Sequence, residues 1–316
     1  MNNICIIIPY FGEWPQYFSL FLKSCSYNSK IIDYIIFTEN DFPIDASPNV
    51  QFYKMSMNKF NELASEKINI NILINDPYKL CDFKPSYGKI FSEYIKDYIY
   101  WGHGDLDLIL GDLSKILNNI INQNYDIISL RKEWVSGSFS LYRNITKINN
   151  LFQSSKSVPD IFLSDHHYSF TECMRLWDKL IKGSDILDVD DNESMTYLIE
   201  KNSLAGKLKY FHDTLIKESI DRNDFVCFDN GCVIDSNYRE YAFYHYISEK
   251  NKFKFVFPKW NIVPDKFYID RTGFYTENEW NNLVYRNILR IFRRLSGFGK
   301  FIRYYYKKYI FAFFSL

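Results

Sequence analysis

The chain lacks any apolar run of about 18 residues, so no segment of it reads as a membrane-spanning helix. Its six cysteines (Cys5, Cys25, Cys81, Cys173, Cys227, Cys232) form no CxxC and no histidine pairing at zinc spacing. Cys5 and Cys81 have apolar or core-like neighbours, which favours buried thiols in a reducing compartment over disulfides or zinc. No basic stretch precedes the short apolar run in MNNICIIIPYF, so a signal peptide is not expected and the expected location is the cytoplasm. A Walker phosphate loop and a GxGxxG fingerprint are both missing, which counts against kinases and dehydrogenases. No internal repeat, low-complexity block or linker interrupts residues 1–280.

Apolar and aromatic residues are plentiful instead. Of 316 residues 47% are hydrophobic and 19% aromatic, enough to bury a large core. The formal net charge of +0 hides an asymmetry: eight basic residues and no acidic one lie from Asn281 onward, leaving −8 on residues 1–280. The expected division is therefore a folded domain over 1–280 and a basic, aromatic, amphipathic segment over 281–316.

Continuous apolar runs bounded by turn residues mark strands buried on both faces. ICIIIPYF, IDYIIFTEN, VQFYKMS, YIYWG, YDIISL and SGSFSLYR have this pattern, and NKFKFVFP resembles a late strand. Between them WPQYFSLFLKSCSYN, MNKFNELASEKI, the stretch from Pro85 to Ile95 and LSKILNNIINQ show helical periodicity. Alternating strand and helix predicts a doubly wound α/β sheet. Residues from about 149 to 210 read as helical with loops.

In YWGHGDLDLILGDL two aspartates, Asp105 and Asp107, stand one residue apart at the carboxyl end of a predicted strand, where open α/β sheets bind ligands. Strand alternation would project both to one side and turn Leu106 into the core. Two carboxylates this close repel unless a cation or hydrogen bonds neutralise them, and oxygen ligands favour Mg²⁺ or Mn²⁺. A solvated Asp/Gly turn is the plain alternative. Gly102 and Gly104 just before the pair suggest room for a ligand at the backbone.

Four stretches taken in order, IIIPYFGEWPQYFSLFLKSC, DPYKLCDFKPSYGKIF, YWGHGDLDLILGDL and SGSFSLYRN, resemble nucleotide-sugar glycosyltransferases of the GT-A fold. They look more closely like a bacterial glycosyltransferase-like family found with polysaccharide biosynthesis genes for capsule or O-antigen. YREYAFYHYISEK is a weaker match. The resemblance implies a GT-A-like, mixed, mostly parallel sheet flanked by helices, with the basic segment as a helical extension. It implies a metal-dependent hexosyltransferase-like enzyme that moves a sugar from a nucleotide-diphosphate donor to a glycan or lipid-linked acceptor.

By the same resemblance, Pro9, Tyr10 and Phe11 would pack on the nucleobase, Asp82 would meet sugar hydroxyls and Lys84 the phosphates. Asp105 and Asp107 would bind Mn²⁺ or Mg²⁺, with Asp105 also reaching the ribose. His245 fits a third metal ligand better than His212, and Lys250 would meet phosphate. Plainer readings stand beside these: sheet packing for Tyr10 and Phe11, a surface position for Lys84, a hydrogen-bonded core histidine for His245.

Glycosyl transfer with inversion needs a carboxylate base, and Asp190, Asp191 and Glu193 in DVDDNESM are the candidates, with helix capping as their alternative. Trp134, Ser136 and Gly137 could line a sugar site, or Trp134 could be core. The basic segment suits an anionic membrane at the inner face of the cell. Nucleic-acid binding and simple packing on the domain are its rivals, and no nucleic-acid partner is expected. A nucleotidyltransferase or a non-catalytic carbohydrate-binding protein is the alternative to the transferase.

Overall fold

The computed structural model describes residues 2–314, with side chains described for 2–304. The residues gather into two compact units. The first comprises Met1–Pro15, Asn28–Leu106 and Leu113–Leu215; the second comprises Gln16–Tyr27, Asp107–Asp112 and Ile216–Leu316. The division expected at residue 280 thus falls inside the second unit.

The first unit is built on a seven-stranded sheet in the order Val50–Lys54, Ile32–Thr38, Ile4–Tyr10, Tyr100–Gly104, Phe139–Arg143, Ile127–Ser129, Tyr210–His212. The apolar runs explain its centre. Ile32–Thr38 is buried along its whole length and Ile4–Tyr10 along all but its last residue, as strands covered on both faces must be. Phe139–Arg143 runs antiparallel to both of its neighbours; the other four pairings are parallel. The expected mixed, mostly parallel sheet flanked by helices is what forms. Helix Met57–Ile68 starts where the Ser56 hydroxyl accepts from Lys59 N and stops at Asn69, whose φ of 61° is left-handed. Its Phe60 and Ala64 join Ile7, Phe37, Phe83 and Trp101 in the main core.

Gly102 serves packing rather than ligand approach. A Cβ there would lie 2.4 Å from the Ser140 carbonyl oxygen and 2.9 Å from the Ile6 side chain.

The second unit holds an antiparallel sheet in the order Glu240–Tyr241, Cys232–Asp235, Val226–Asp229, Lys266–Asp270, Gly273–Thr276. A separate three-stranded sheet has Phe243–His245 at its centre, antiparallel to Leu108–Leu110 and parallel to Ile216–Lys217. NKFKFVFP is not a strand; only Val256 bridges, to Gly273, while Phe255 and Phe257 pack into the core of this unit. Helix Phe18–Tyr27 belongs here too, with Leu20 in that core.

The final helix, Leu283–Phe314, is anchored by arginines. Arg290 Nε donates to Asp270 Oδ2 at 2.7 Å, Arg293 to the Phe274 carbonyl at 2.9 Å and Arg286 to the Trp280 carbonyl at 2.8 Å. Trp280 in turn stacks on Tyr268. No described helix is long and apolar enough to cross a membrane.

Candidate functional site

The aspartate pair does not lie in a strand. Asp105, Leu106 and Asp107 form the turn between Tyr100–Gly104 and Leu108–Leu110, and strand alternation therefore does not govern their direction. Leu106 is buried as expected.

In the second unit, sheet register assembles a site around Asp107. His245 pairs with Leu108, the residue after Asp107, and Tyr244 pairs with Lys217, the residue before Glu218. The imidazole is thereby held between two carboxylates, Nε2 at 3.3 Å from Asp107 and Nδ1 at 3.4 Å from Glu218. A carboxylate behind a ligating histidine fixes its ring and tautomer, so Glu218 belongs to this centre. Lys250 Nζ donates to Asp107 Oδ2 at 2.7 Å. Burial pushes the Asp107 carboxyl up, but His245 and Lys250 outweigh it and hold the group well below the usual carboxylate range.

In the first unit, Lys84 is buried and donates to Asp105 Oδ1 at 2.5 Å and to the Gly137 carbonyl at 2.7 Å. Burial lowers its affinity for a proton, and Asp105 more than reverses this, so the ammonium persists. The surface alternative for Lys84 is thus corrected. Behind it stands a residue with no motif to announce it, Glu172. Its Oε1 accepts from Gly137 N at 3.0 Å and its Oε2 from Trp177 Nε1 at 2.9 Å.

Burial raises the Glu172 carboxyl above its ordinary 4.5, despite the Gly137 and Trp177 donors. The folded chain then holds this proton at pH values where the unfolded chain has released it, so stability falls as pH rises from 4.5 through the folded-state value. Glu172→Gln removes that slope. Urea midpoints are expected to converge on, or pass, the wild type as pH rises; parallel curves for the two proteins would refute it.

The remaining candidates are placed as follows. Asp82 is fully buried: Oδ1 accepts from Phe170 N at 2.9 Å, and Oδ2 accepts from Tyr168 N and Lys79 Nζ, both at 2.8 Å. Fully buried and already accepting three hydrogen bonds, with His167 Nε2 3.6 Å from Oδ1, this carboxylate serves the interior, which favours a structural part for Asp82 over the expected contact with sugar hydroxyls. Trp134 packs with Cys173, Leu180 and Ile186 and is capped by the Arg131 guanidinium at 3.7 Å, so it is core rather than a sugar platform. Ser136 is buried, with its hydroxyl 3.0 Å from that of Ser138.

Asp190 accepts from the backbone N–H groups of Asn192 and Ser194, and Glu193 from Lys156 N. The N-cap of helix Met195–Leu204 is Ser194, whose hydroxyl accepts from Tyr197 N, while Asp190 holds the turn before it and Glu193 ties that turn to Lys156. Asp191 alone of the three is exposed. Phe11 packs on Phe60, Pro9 is buried in its strand, and Tyr10 stacks on Trp14 with 5.4 Å between centroids. His212 is exposed, with Nδ1 3.0 Å from the Lys132 carbonyl.

Within the second unit Asp107 and His245 offer a carboxylate and an imidazole, donors suited to a divalent cation. That fits Mn²⁺ or Mg²⁺ in chemistry, with Glu218 as the outer support.

Among solved structures the chain is similar to three glycosyltransferases. Galactosyltransferase LgtC in complex with donor and acceptor sugar analogs is 12% identical over 77% of this chain and 87% of that one, TM-score 0.34. A glycosyltransferase involved in the glycosylation of the major capsid of PBCV-1 is 10% identical over 77% and 92%, TM-score 0.33. Mouse xyloside xylosyltransferase 1 is 10% identical over 70% and 88%, TM-score 0.35. No curated protein matches the chain in sequence. Residues 6–278 match the profile described as "Family of unknown function (DUF6625)", and the chain belongs to that family.

Proposed function

We propose that the protein is a metal-dependent glycosyltransferase that takes a sugar from a nucleotide-diphosphate donor. The observation that carries this is the convergence of His245 and Lys250 on one buried carboxylate, Asp107, with Glu218 behind the imidazole. A carboxylate facing the outer nitrogen of an imidazole is the usual support of a metal-ligating histidine. The sequence resemblance of the Asp-x-Asp stretch to GT-A enzymes supports the same reading.

Mn²⁺ or Mg²⁺, held by Asp107 and His245, would supply Lewis acidity toward the leaving diphosphate. The chain's own residues supply the rest. Lys84, fixed by Asp105 and the Gly137 carbonyl, and Lys250, fixed by Asp107, present preoriented positive charge to phosphate oxygens as negative charge develops. Tyr10, stacked on Trp14, offers an aromatic face to the base. Asp191, exposed at a helix entrance, is the group proposed to receive the acceptor hydroxyl proton. The acceptor is proposed to be a glycan or lipid-linked sugar of a cell-surface polysaccharide, elongated on the cytoplasmic side of a membrane.

Thermal-shift and hydrolysis screens of nucleotide sugars with and without Mn²⁺ test the proposal. Stabilisation by one donor only when metal is present is the expected result; equal responses with and without metal for every donor reject it. Glu218→Gln should weaken Mn²⁺ affinity about 10–100-fold by loosening the His245 ring. Unchanged affinity in a calorimetric titration would show that Glu218 does not support the site.

A further inference from the structure

The last helix spends its charges and its apolar residues on opposite sides. Arg286, Arg290 and Arg293 turn inward to Trp280, Asp270 and Phe274, and Gly297 continues this face, where a Cβ would lie 2.7 Å from Lys254 Cα. Residues expected to meet an acidic surface are therefore consumed in the fold. On the opposite side Val284, Ile288, Ile291, Leu295, Phe298 and Ile302 recur every three or four positions, each at least 50% exposed. At about 100° per residue they form one continuous stripe, which the 69% exposed Phe292 widens. By the same geometry Arg294 and Arg303 lie roughly 90° to either side of it.

We infer that this stripe is a docking surface for an anionic phospholipid bilayer, with Arg294 and Arg303 at headgroup level and the helix lying in the interface plane. A 3–4 apolar spacing also suits pairing with a second copy. In such a helical pair, however, the flanking cations would have no acidic partner, because no acidic residue occurs from Asn281 onward. Pairing two copies would set like charges against each other. An anionic lipid surface meets the apolar stripe and both arginines at once. The inference does not depend on the transferase reading, since it invokes no donor chemistry.

The test is sedimentation of the full chain with phosphatidylcholine vesicles, with and without phosphatidylglycerol. Binding is expected with phosphatidylglycerol and to be weak without it. Ile288→Asp with Leu295→Asp should reduce binding more than about tenfold. Arg294→Glu with Arg303→Glu should lower it at least about fivefold per residue and flatten its salt dependence. These side chains are exposed, and circular dichroism checks that the variants keep the wild-type fold. Wild-type protein that stays in the supernatant with anionic vesicles overturns the inference. So does a lipid-free dimer, seen by light scattering, that the Ile288→Asp, Leu295→Asp protein loses.

Discussion

Asp107→Asn is expected to lower Mn²⁺-dependent nucleotide affinity by at least about 100-fold in a calorimetric titration. The substitution keeps the shape of the side chain and removes its charge. Three consequences follow from its surroundings. The cation loses an anionic ligand; His245 loses the carboxylate that faces its Nε2; and Lys250 Nζ loses the charged partner it meets at 2.7 Å. The buried position leaves little water to take over. Asp107→Glu, which retains charge but displaces it, should recover part of the loss. Full affinity in Asp107→Asn would mean that the cation is held elsewhere.

The second large effect is on stability. Asp82→Ala should destabilise the fold by about 3–5 kcal/mol, because it removes the carboxylate partner of the buried Lys79, whose Nζ keeps only the His166 carbonyl as acceptor. It also leaves the N–H groups of Tyr168 and Phe170 without their acceptor. Lys79 is 2% exposed, so solvent cannot compensate. A donor-binding Asp82 would behave differently, with affinity falling while the urea midpoint held. Unchanged stability in Asp82→Ala would return this residue to the donor site.

The two sheets differ in how openly the chain declares them. The central strands of the first carry unbroken β-branched and aromatic runs, because each is covered on both faces. Those of the second are two to five residues long and mix acids with apolar residues, as in VCFD and CVID. A signal was present there. Asn230-Gly231, with φ of 48° and 88°, sits between two short apolar stretches in the manner of a tight hairpin. NKFKFVFP misleads in the opposite direction, since its aromatics alternate as in a strand but sit in a loop, Phe255 buried and Phe253 exposed.

At the site, Asp105, Asp107, Lys84, His245 and Lys250 could be named because a short motif or a resemblance marks them. Glu172 and Glu218 could not, since each acts on a partner distant in sequence or on the backbone, and neither spacing nor composition records that. Asp82, Trp134, Asp190 and Glu193 show the reverse problem. Residue types suited to binding sugars are equally suited to closing a core or entering a helix, and only their neighbours decide.

The inward-facing arginines bear on how a shortened, more soluble form of the protein should be made. Cutting at residue 280, the natural choice from charge and hydropathy, would strip the guanidinium from Asp270 and uncover Trp280 and Tyr275. A trim placed beyond Gly297 spares those anchors while discarding Phe298 and Ile302, so the exposed apolar side of the helix can be shortened without disturbing its packed side.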